Sequence, residues 1–111
     1  TSSFLGISYA KKGDYDNAIR YLKTSLDIAK RQNNNYIIAG CHQNLASIYT
    51  HQGNYKLALE MYLKVLKRSN NAIEKARTYS NIGVVYKKQK EYNNALKSYN
   101  EALEIYKQVD Y

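Results

Sequence analysis

The side chains best suited to directional chemistry in this chain are two asparagines, Asn44 and Asn81, which stand 37 residues apart. Each one directly precedes a branched apolar residue, Leu45 in the first case and Ile82 in the second. An asparagine amide offers both a donor and an acceptor, so it can bond the backbone of an extended chain whatever side chains that chain carries. Matched amides of this kind indicate a binding role.

Histidine and cysteine are too few to form a catalytic or metal-binding set. His42 and His51 lie nine residues apart, which is about two and a half helical turns, so they do not share a face. Cys41 directly precedes His42, and adjacent side chains diverge on a helix. The chain has no phosphate-binding loop and no nucleophile beside a placed base. The sequence therefore predicts no enzyme, no cofactor and no metal site, and His42 is expected to be a packing residue.

The charge balance favours an acidic partner. The 111 residues include 17 Lys and Arg against nine Asp and Glu, which gives a net charge of +8. The basic residues are scattered rather than grouped in a block, so most of them should lie on solvated helix faces. No apolar run approaches the roughly 18 residues that a membrane span needs. A single cysteine fits a reducing compartment, so we expect a cytoplasmic protein that binds no membrane.

The elements that must position these residues come from a pattern that occurs three times. The first part of the pattern is Leu5-Gly6-Ile7-Ser8-Tyr9, then Leu45-Ala46-Ser47-Ile48-Tyr49, then Ile82-Gly83-Val84-Val85-Tyr86. The second part is Ala18-Ile19, Ala58-Leu59 and Ala95-Leu96, and it begins nine residues after each tyrosine. A supersecondary unit repeated in this way buries its apolar face by stacking on its neighbours.

Apolar residues at steps of three and four predict six helices, over about 1–12, 15–32, 36–51, 55–69, 72–89 and 92–108. Gly13 and Gly53 suit the left-handed position that ends a helix, whereas the third copy has Lys90 there and must adopt positive φ or a different turn. Ala18 and Ala58 are 40 residues apart, and Ala58 and Ala95 are 37 apart. The apolar pattern continues between copies, so we expect long helices rather than long loops.

The repeat resembles the tetratricopeptide repeat family, whose pattern is L-G-x2-Y followed by A-x3-F. The alanine part is met by Ala18/Leu22, Ala58/Tyr62 and Ala95/Tyr99. The resemblance implies an all-α fold, a right-handed α-solenoid of three helix-turn-helix repeats at about 1–35, 36–71 and 72–111. One array would then cover residues 1–111. The long repeats are similar to those of kinesin light chains, polarity adaptors and bacterial peptide-sensing regulators.

The resemblance also implies where a partner binds, because the first helix of each repeat lines a concave groove in that family. The groove candidates are Asn44, Asn81, Arg77, Lys88, Gln43, Ser47, His51, Ile7 and Lys11. They include no carboxylate, so we expect a protein–protein interaction module that holds an extended acidic peptide. Two alternatives stay open: nucleic-acid binding by the basic surface, which no cluster of basic and aromatic residues supports, and an architectural part of a longer array that regulates an attached domain.

The last helix raises a separate expectation. Leu96 and Leu103 stand where the equivalent residues of earlier copies, Ile19 and Leu59, should pack on the following repeat. No fourth copy follows in this sequence, so Leu96, Leu103 and Tyr106 should be exposed. An apolar patch of this size favours self-association through the last helix.

Overall fold

The computed structural model describes residues 14–109, and these residues form helices without any strand. The helices are α1 (Tyr15–Arg31), α2 (Asn35–His51), α3 (Tyr55–Arg68), α4 (Ala72–Lys88) and α5 (Tyr92–Gln108). Each lies within one residue of a predicted helix, so the all-α class is confirmed. The helix predicted over 1–12 lies outside the described residues.

The connections between the helices are all three residues long. Helices α1, α2, α4 and α5 have 17 residues each, whereas α3 has 14. The three residues missing from α3 account for the shorter distance between the second and third copies of the repeat. The prediction of long helices, as opposed to long loops, is therefore confirmed.

Three of the connections turn through one residue with positive φ. These residues are Asn33 (φ 54°), Gly53 (φ 79°) and Lys90 (φ 62°). In each turn the next amide donates to a carbonyl five residues back: Asn34 to Ala29 at 2.9 Å, Asn54 to Tyr49 at 2.8 Å and Glu91 to Tyr86 at 2.9 Å. This is the Schellman arrangement, which satisfies carbonyls at the end of a helix. Of the two alternatives expected for the third copy, positive φ at Lys90 or a different turn, the structure has the first.

The helix starts differ in how they are capped. Asp14, Asn34 and Asn71 each accept a hydrogen bond on the side chain from a backbone N–H of the first turn. Glu91 stands at the same position before α5 but makes no such bond. Because a side-chain cap adds about 1 kcal/mol to helix stability, α5 depends more on its packing.

The described residues fall into two compact units, which divide between Met61 and Tyr62. In the first unit α1 packs against α2, and the buried residues include Leu22, Ile38 and Leu45. In the second unit α4 packs against α5, around Ala76, Ile82, Val85, Ala95 and Ala102. Both cores rest on apolar residues at three- and four-residue steps, which is how an amphipathic helix buries one face.

At Gly83 the backbone of α4 lies directly against a side chain of α5. A Cβ atom built on Gly83 would lie 2.7 Å from Cε1 of Tyr99. Real Cβ atoms essentially never come this close to another heavy atom. The absence of a side chain at Gly83 therefore lets the Tyr99 ring lie directly on the α4 backbone.

Candidate functional site

Two equivalent rows of residues lie on the first helices of the second and third repeats. The row on α2, here called the α2 stripe, consists of Gly40, Asn44, Ser47 and His51. The row on α4, the α4 stripe, consists of Arg77, Asn81, Val84 and Lys88. Their spacing of four, three and four residues keeps each row within roughly 60° around its helix axis. Every member of one stripe is 37 residues from its counterpart.

The buried sides of these helices explain why the stripes face outward. On α2 the buried residues are Ile38, Ala39, Cys41, His42, Leu45, Ala46, Ile48 and Tyr49. On α4 they are Ala76, Thr78, Ile82, Gly83 and Val85. The sets match at several repeat positions, such as Leu45 with Ile82, so the same packing orients both helices. The expectation that His42 is a packing residue is confirmed, because it is 2% exposed.

Each predicted site residue within the described range lies on or beside a stripe. Asn44 and Asn81 are both half-buried, the first in the first unit and the second in the second unit. Gln43 is half-buried beside Asn44, and Arg77 and Lys88 are exposed. The structure therefore groups the predicted residues within each helix. The remaining candidates, Ile7 and Lys11, lie outside the described residues.

The histidine at the end of the α2 stripe has a fixed ring. Nδ1 of His51 lies 2.9 Å from the backbone carbonyl oxygen of Ser47. A carbonyl can only accept, so Nδ1 carries the proton and donates. The other nitrogen, Nε2, is left to face a partner as an acceptor when the ring is neutral.

The two stripes differ in charge. Helix α2 contains no Lys, Arg, Asp or Glu over its 17 residues. The α4 stripe carries Arg77 and Lys88 at its ends, and neither has an ion-pair partner among residues 14–109. Unpaired exposed cations on one face create a positive potential that attracts carboxylates.

Other kinds of site find little support in the described part of the chain. No group of three His, Cys, Asp or Glu residues within 14–109 is arranged to hold a metal ion. Among the same residues, no helix combines the length and the hydropathy needed to cross a membrane. Burial raises the pKa of the Tyr62 phenol above its ordinary value of 10.0, because the core disfavours the charged phenolate.

Of the three residues that we expect to be exposed on the last helix, Leu96 and Leu103 are exposed, whereas the expectation for Tyr106 is wrong. Leu96 is 59% exposed and Leu103 is 51% exposed, whereas Tyr106 is half-buried. The equivalent residues Ile19 and Leu59 of the earlier repeats are half-buried. The same repeat position is therefore more covered in the first two copies than in the third.

Sequence reasoning passed over two residues of α2 that the structure makes prominent. Tyr36 is 86% exposed, and Gly40 follows it one helical turn later. Among residues 14–109, a Cβ atom built on Gly40 would meet nothing within 4 Å. A glycine in the middle of a predicted helix is the signal in the sequence that could have marked this surface.

A family model described as a tetratricopeptide repeat matches residues 1–71 and again residues 38–108. The chain belongs to the tetratricopeptide repeat family. The two matches are offset by 37 residues, which is the distance between the α2 and α4 stripes. Repeats of this family are in general scaffolds without catalytic activity, and they mediate binding between proteins. None of the curated proteins compared with the chain matches it.

Proposed function

We propose that this chain is a protein-interaction module that binds an extended acidic segment of a partner protein through its repeat grooves. The observation that carries the proposal is the α4 stripe, where Arg77 and Lys88 flank Asn81 on an exposed face and lack ion-pair partners among residues 14–109. Membership of the family supports a protein as the partner, and the net charge of +8 supports an acidic partner.

The chemistry of the α4 stripe fits such a segment. A guanidinium can hold a carboxylate by two parallel hydrogen bonds, so Arg77 would supply both affinity and orientation. Lys88 stands 11 residues further along the same face, which is about three helical turns, and would attract a second carboxylate as a point charge. Asn81 lies between them and would bond the backbone of the segment. In the first unit, Asn44, Ser47 and His51 of the α2 stripe, with Gln43 beside them, would offer uncharged polar contacts.

The test compares the removal of equal charge from two places. A fluorescent peptide of 15 residues, rich in Asp and Glu, is titrated into the wild-type chain and into the double variant Arg77→Gln/Lys88→Gln. We expect the variant to bind roughly tenfold more weakly, because two charge-assisted contacts are lost. The dependence of the affinity on salt should also become less steep.

The matched control is Lys64→Gln/Lys67→Gln on α3, which removes the same charge from exposed residues outside both stripes. It should change affinity less than about twofold, since distant surface charges are screened. Equal losses in the two double variants would overturn the stripe as the site. Stronger binding of a lysine-rich peptide than of the acidic one would overturn the acidic partner.

Nucleic-acid binding and a purely architectural role are the competing functions, and the same samples distinguish them. A single-stranded oligonucleotide that bound tightly, with a steep salt dependence and the same loss in both variants, would favour the first of them. An array that bound neither probe would favour the architectural role.

A cytoplasmic location fits the single, buried Cys41 of this chain.

We also propose self-association through α5. Leu96 and Leu103 are more than half exposed, and residues at the equivalent positions of earlier repeats are not. Sedimentation at high micromolar concentration should show a dimer, and Leu96→Lys with Leu103→Lys should restore the monomer. A wild-type chain that stays monomeric, with unchanged solubility in the variant, would contradict this proposal.

A further inference from the structure

Ser69 differs in its backbone from the other serines and threonines of the described chain. Residues 14–109 contain eight Ser and Thr, and seven of these lie within helices. Among them Ser69 alone lies in a connection, the three residues 69–71 between α3 and α4. A hydroxyl within a helix is flanked by the turns before and after it, whereas a connection on the surface can present its hydroxyl to an enzyme on an extended segment.

The connection that contains Ser69 is not closed in the way of the other three. Those turn through a residue with positive φ, whereas no residue of 69–71 has positive φ and Asn71 is extended, with φ −96° and ψ 120°. The half-buried Ser69 hydroxyl accepts from the Asn71 amide at 3.2 Å and donates to the Asn71 carbonyl at 3.3 Å. Both hydrogen bonds are long and local, so a small movement of the connection would release the hydroxyl.

The residues that precede Ser69 are basic. Lys64, Lys67 and Arg68 lie within the five residues before it, and all three are exposed. The next acidic residue along the chain is Glu74, five residues after Ser69 and already within α4. Protein kinases select their substrates partly by the charges around the acceptor hydroxyl. A kinase whose peptide cleft is lined by carboxylates would therefore favour this segment.

We propose that Ser69 is a phosphorylation site for a protein kinase with an acidic peptide cleft. In this reaction Oγ of Ser69 attacks the γ-phosphorus of a nucleoside triphosphate. The new Oγ–P bond forms as the bond between that phosphorus and the β–γ bridging oxygen breaks. The hydroxyl proton passes to a base of the kinase, and a nucleoside diphosphate leaves, so nothing is oxidised or reduced.

A phosphate on Ser69 would change the charge next to the α4 stripe. It adds roughly two negative charges just before the N-terminus of α4, where the helix dipole favours an anion. Arg77 stands five residues into α4, about 8 Å along the helix axis, which is close to the Debye length at physiological salt. The phosphate would therefore offset part of the attraction of Arg77 for carboxylates. This effect rests on the proposed function and makes Ser69 a switch that weakens the binding of an acidic segment.

The experiment incubates the wild-type chain and Ser69→Ala with ATP and the catalytic domain of a serine/threonine kinase that prefers basic substrates. Peptide mapping by mass spectrometry should locate phosphate on Ser69 and find none at position 69 of the variant. Thr24 is the internal control, because it is exposed and follows Arg20 and Lys23 but lies in the middle of α1. Thr24 should be phosphorylated roughly tenfold more slowly than Ser69, since the helix must first open.

A pair of double variants tests the recognition by charge. Lys67→Gln/Arg68→Gln should slow phosphorylation of Ser69 roughly tenfold, because two charge-assisted contacts to the kinase are lost. The matched control, Lys97→Gln/Lys107→Gln, removes the same charge from exposed residues of α5. It should change the rate less than about twofold, since distant surface charges are screened.

The outcomes separate the site, the switch and the proposed function. Equal rates at Thr24 and Ser69, or equal rates in the two double variants, would overturn the phosphorylation site. The purified phosphorylated chain should bind an acidic peptide of 15 residues roughly threefold more weakly than the unmodified chain, and phosphatase should restore the affinity. Unchanged affinity would overturn the switch. An unmodified chain that failed to bind the acidic peptide would overturn the proposed function and leave the phosphorylation site standing.

Discussion

Helices α2 and α4 occupy the same position in successive repeats and have the same length, yet their exposed sides differ in charge. Their apolar cores match: Leu45 corresponds to Ile82, and both are under 5% exposed. On the outer side α2 has no formal charge, whereas the α4 stripe has Arg77 and Lys88. Packing thus constrains one side of each helix to be the same and leaves the other free to differ.

Under the proposed function, the difference would give two otherwise equivalent surfaces separate tasks. Asn44 and Asn81 occupy the only stripe position at which the two helices carry the same residue. An amide there suits contacts to a partner's backbone, which every protein partner has. The residues around them differ in charge, and on α4 Arg77 and Lys88 would select an acidic partner. General affinity and specificity would then come from different members of the same row.

The largest expected effect tests the shared position. The double variant Asn44→Ala/Asn81→Ala should weaken an acidic peptide by roughly 1–3 kcal/mol, because it removes two amides that bond the peptide backbone. Its melting temperature should stay close to the wild-type value, since changes at sites like these are usually within about 0.5 kcal/mol. Titration calorimetry and thermal melting measure the two quantities.

Asn93→Ala/Asn100→Ala on α5 is the matched control, because both residues are exposed and lie outside the stripes. It should leave peptide affinity unchanged. A collapse of melting in the stripe variant, with unaltered affinity per folded molecule, would mean that Asn44 and Asn81 serve the fold rather than a partner.

A second, smaller effect distinguishes two helical glycines. Gly83→Ala should destabilise the chain by about 1–2 kcal/mol, because the new carbon would lie 2.7 Å from the Tyr99 ring. Gly40→Ala should stabilise it by up to about 1 kcal/mol, because the helix gains a better residue and no clash. Urea unfolding measures both. A Gly83→Ala chain as stable as Gly40→Ala would show that the Tyr99 ring moves aside at no cost.

The smallest effect compares the turns that follow α2 and α4. Gly53 and Lys90 both have positive φ, but only glycine adopts it without steric strain. Lys90→Gly should therefore raise the free energy of unfolding by about 0.5–1 kcal/mol, and Gly53→Lys should lower it by about 1 kcal/mol. Shifts of the same sign in the two variants would indicate that charge at these turns outweighs backbone strain.

Much of this architecture follows from local physics that a sequence displays. Apolar spacing and helix-ending residues predicted five helices to within a residue, and constant spacing inside the repeats identified Lys90 as the position that needs either positive φ or a different turn. The exposure of Leu96 and Leu103 followed from counting copies of the repeat. Each of these depends on residues close together in the chain.

What the sequence did not show depends on distances between helices. The contact of Tyr99 with Gly83 requires knowing how near α5 lies to α4, which no periodicity reports. The open space at Gly40 is likewise a statement about absent neighbours. No glycine marks the turn after α1, so the left-handed conformation of Asn33 is known only from the structure of that turn. The sequence shows least about the binding partner, because the partner is a separate molecule that this chain does not encode.

Cys41 lies on the buried side of α2 and is 0% exposed. A thiol must reach water as thiolate before an alkylating reagent can modify it, so labelling has to wait until α2 separates from its packing. The labelling rate of Cys41 therefore reports how often α2 opens locally, and no labelling site has to be introduced by mutation. Read by mass spectrometry in the presence and absence of a bound peptide, the labelling rate would give the free energy that the partner adds to this single helix.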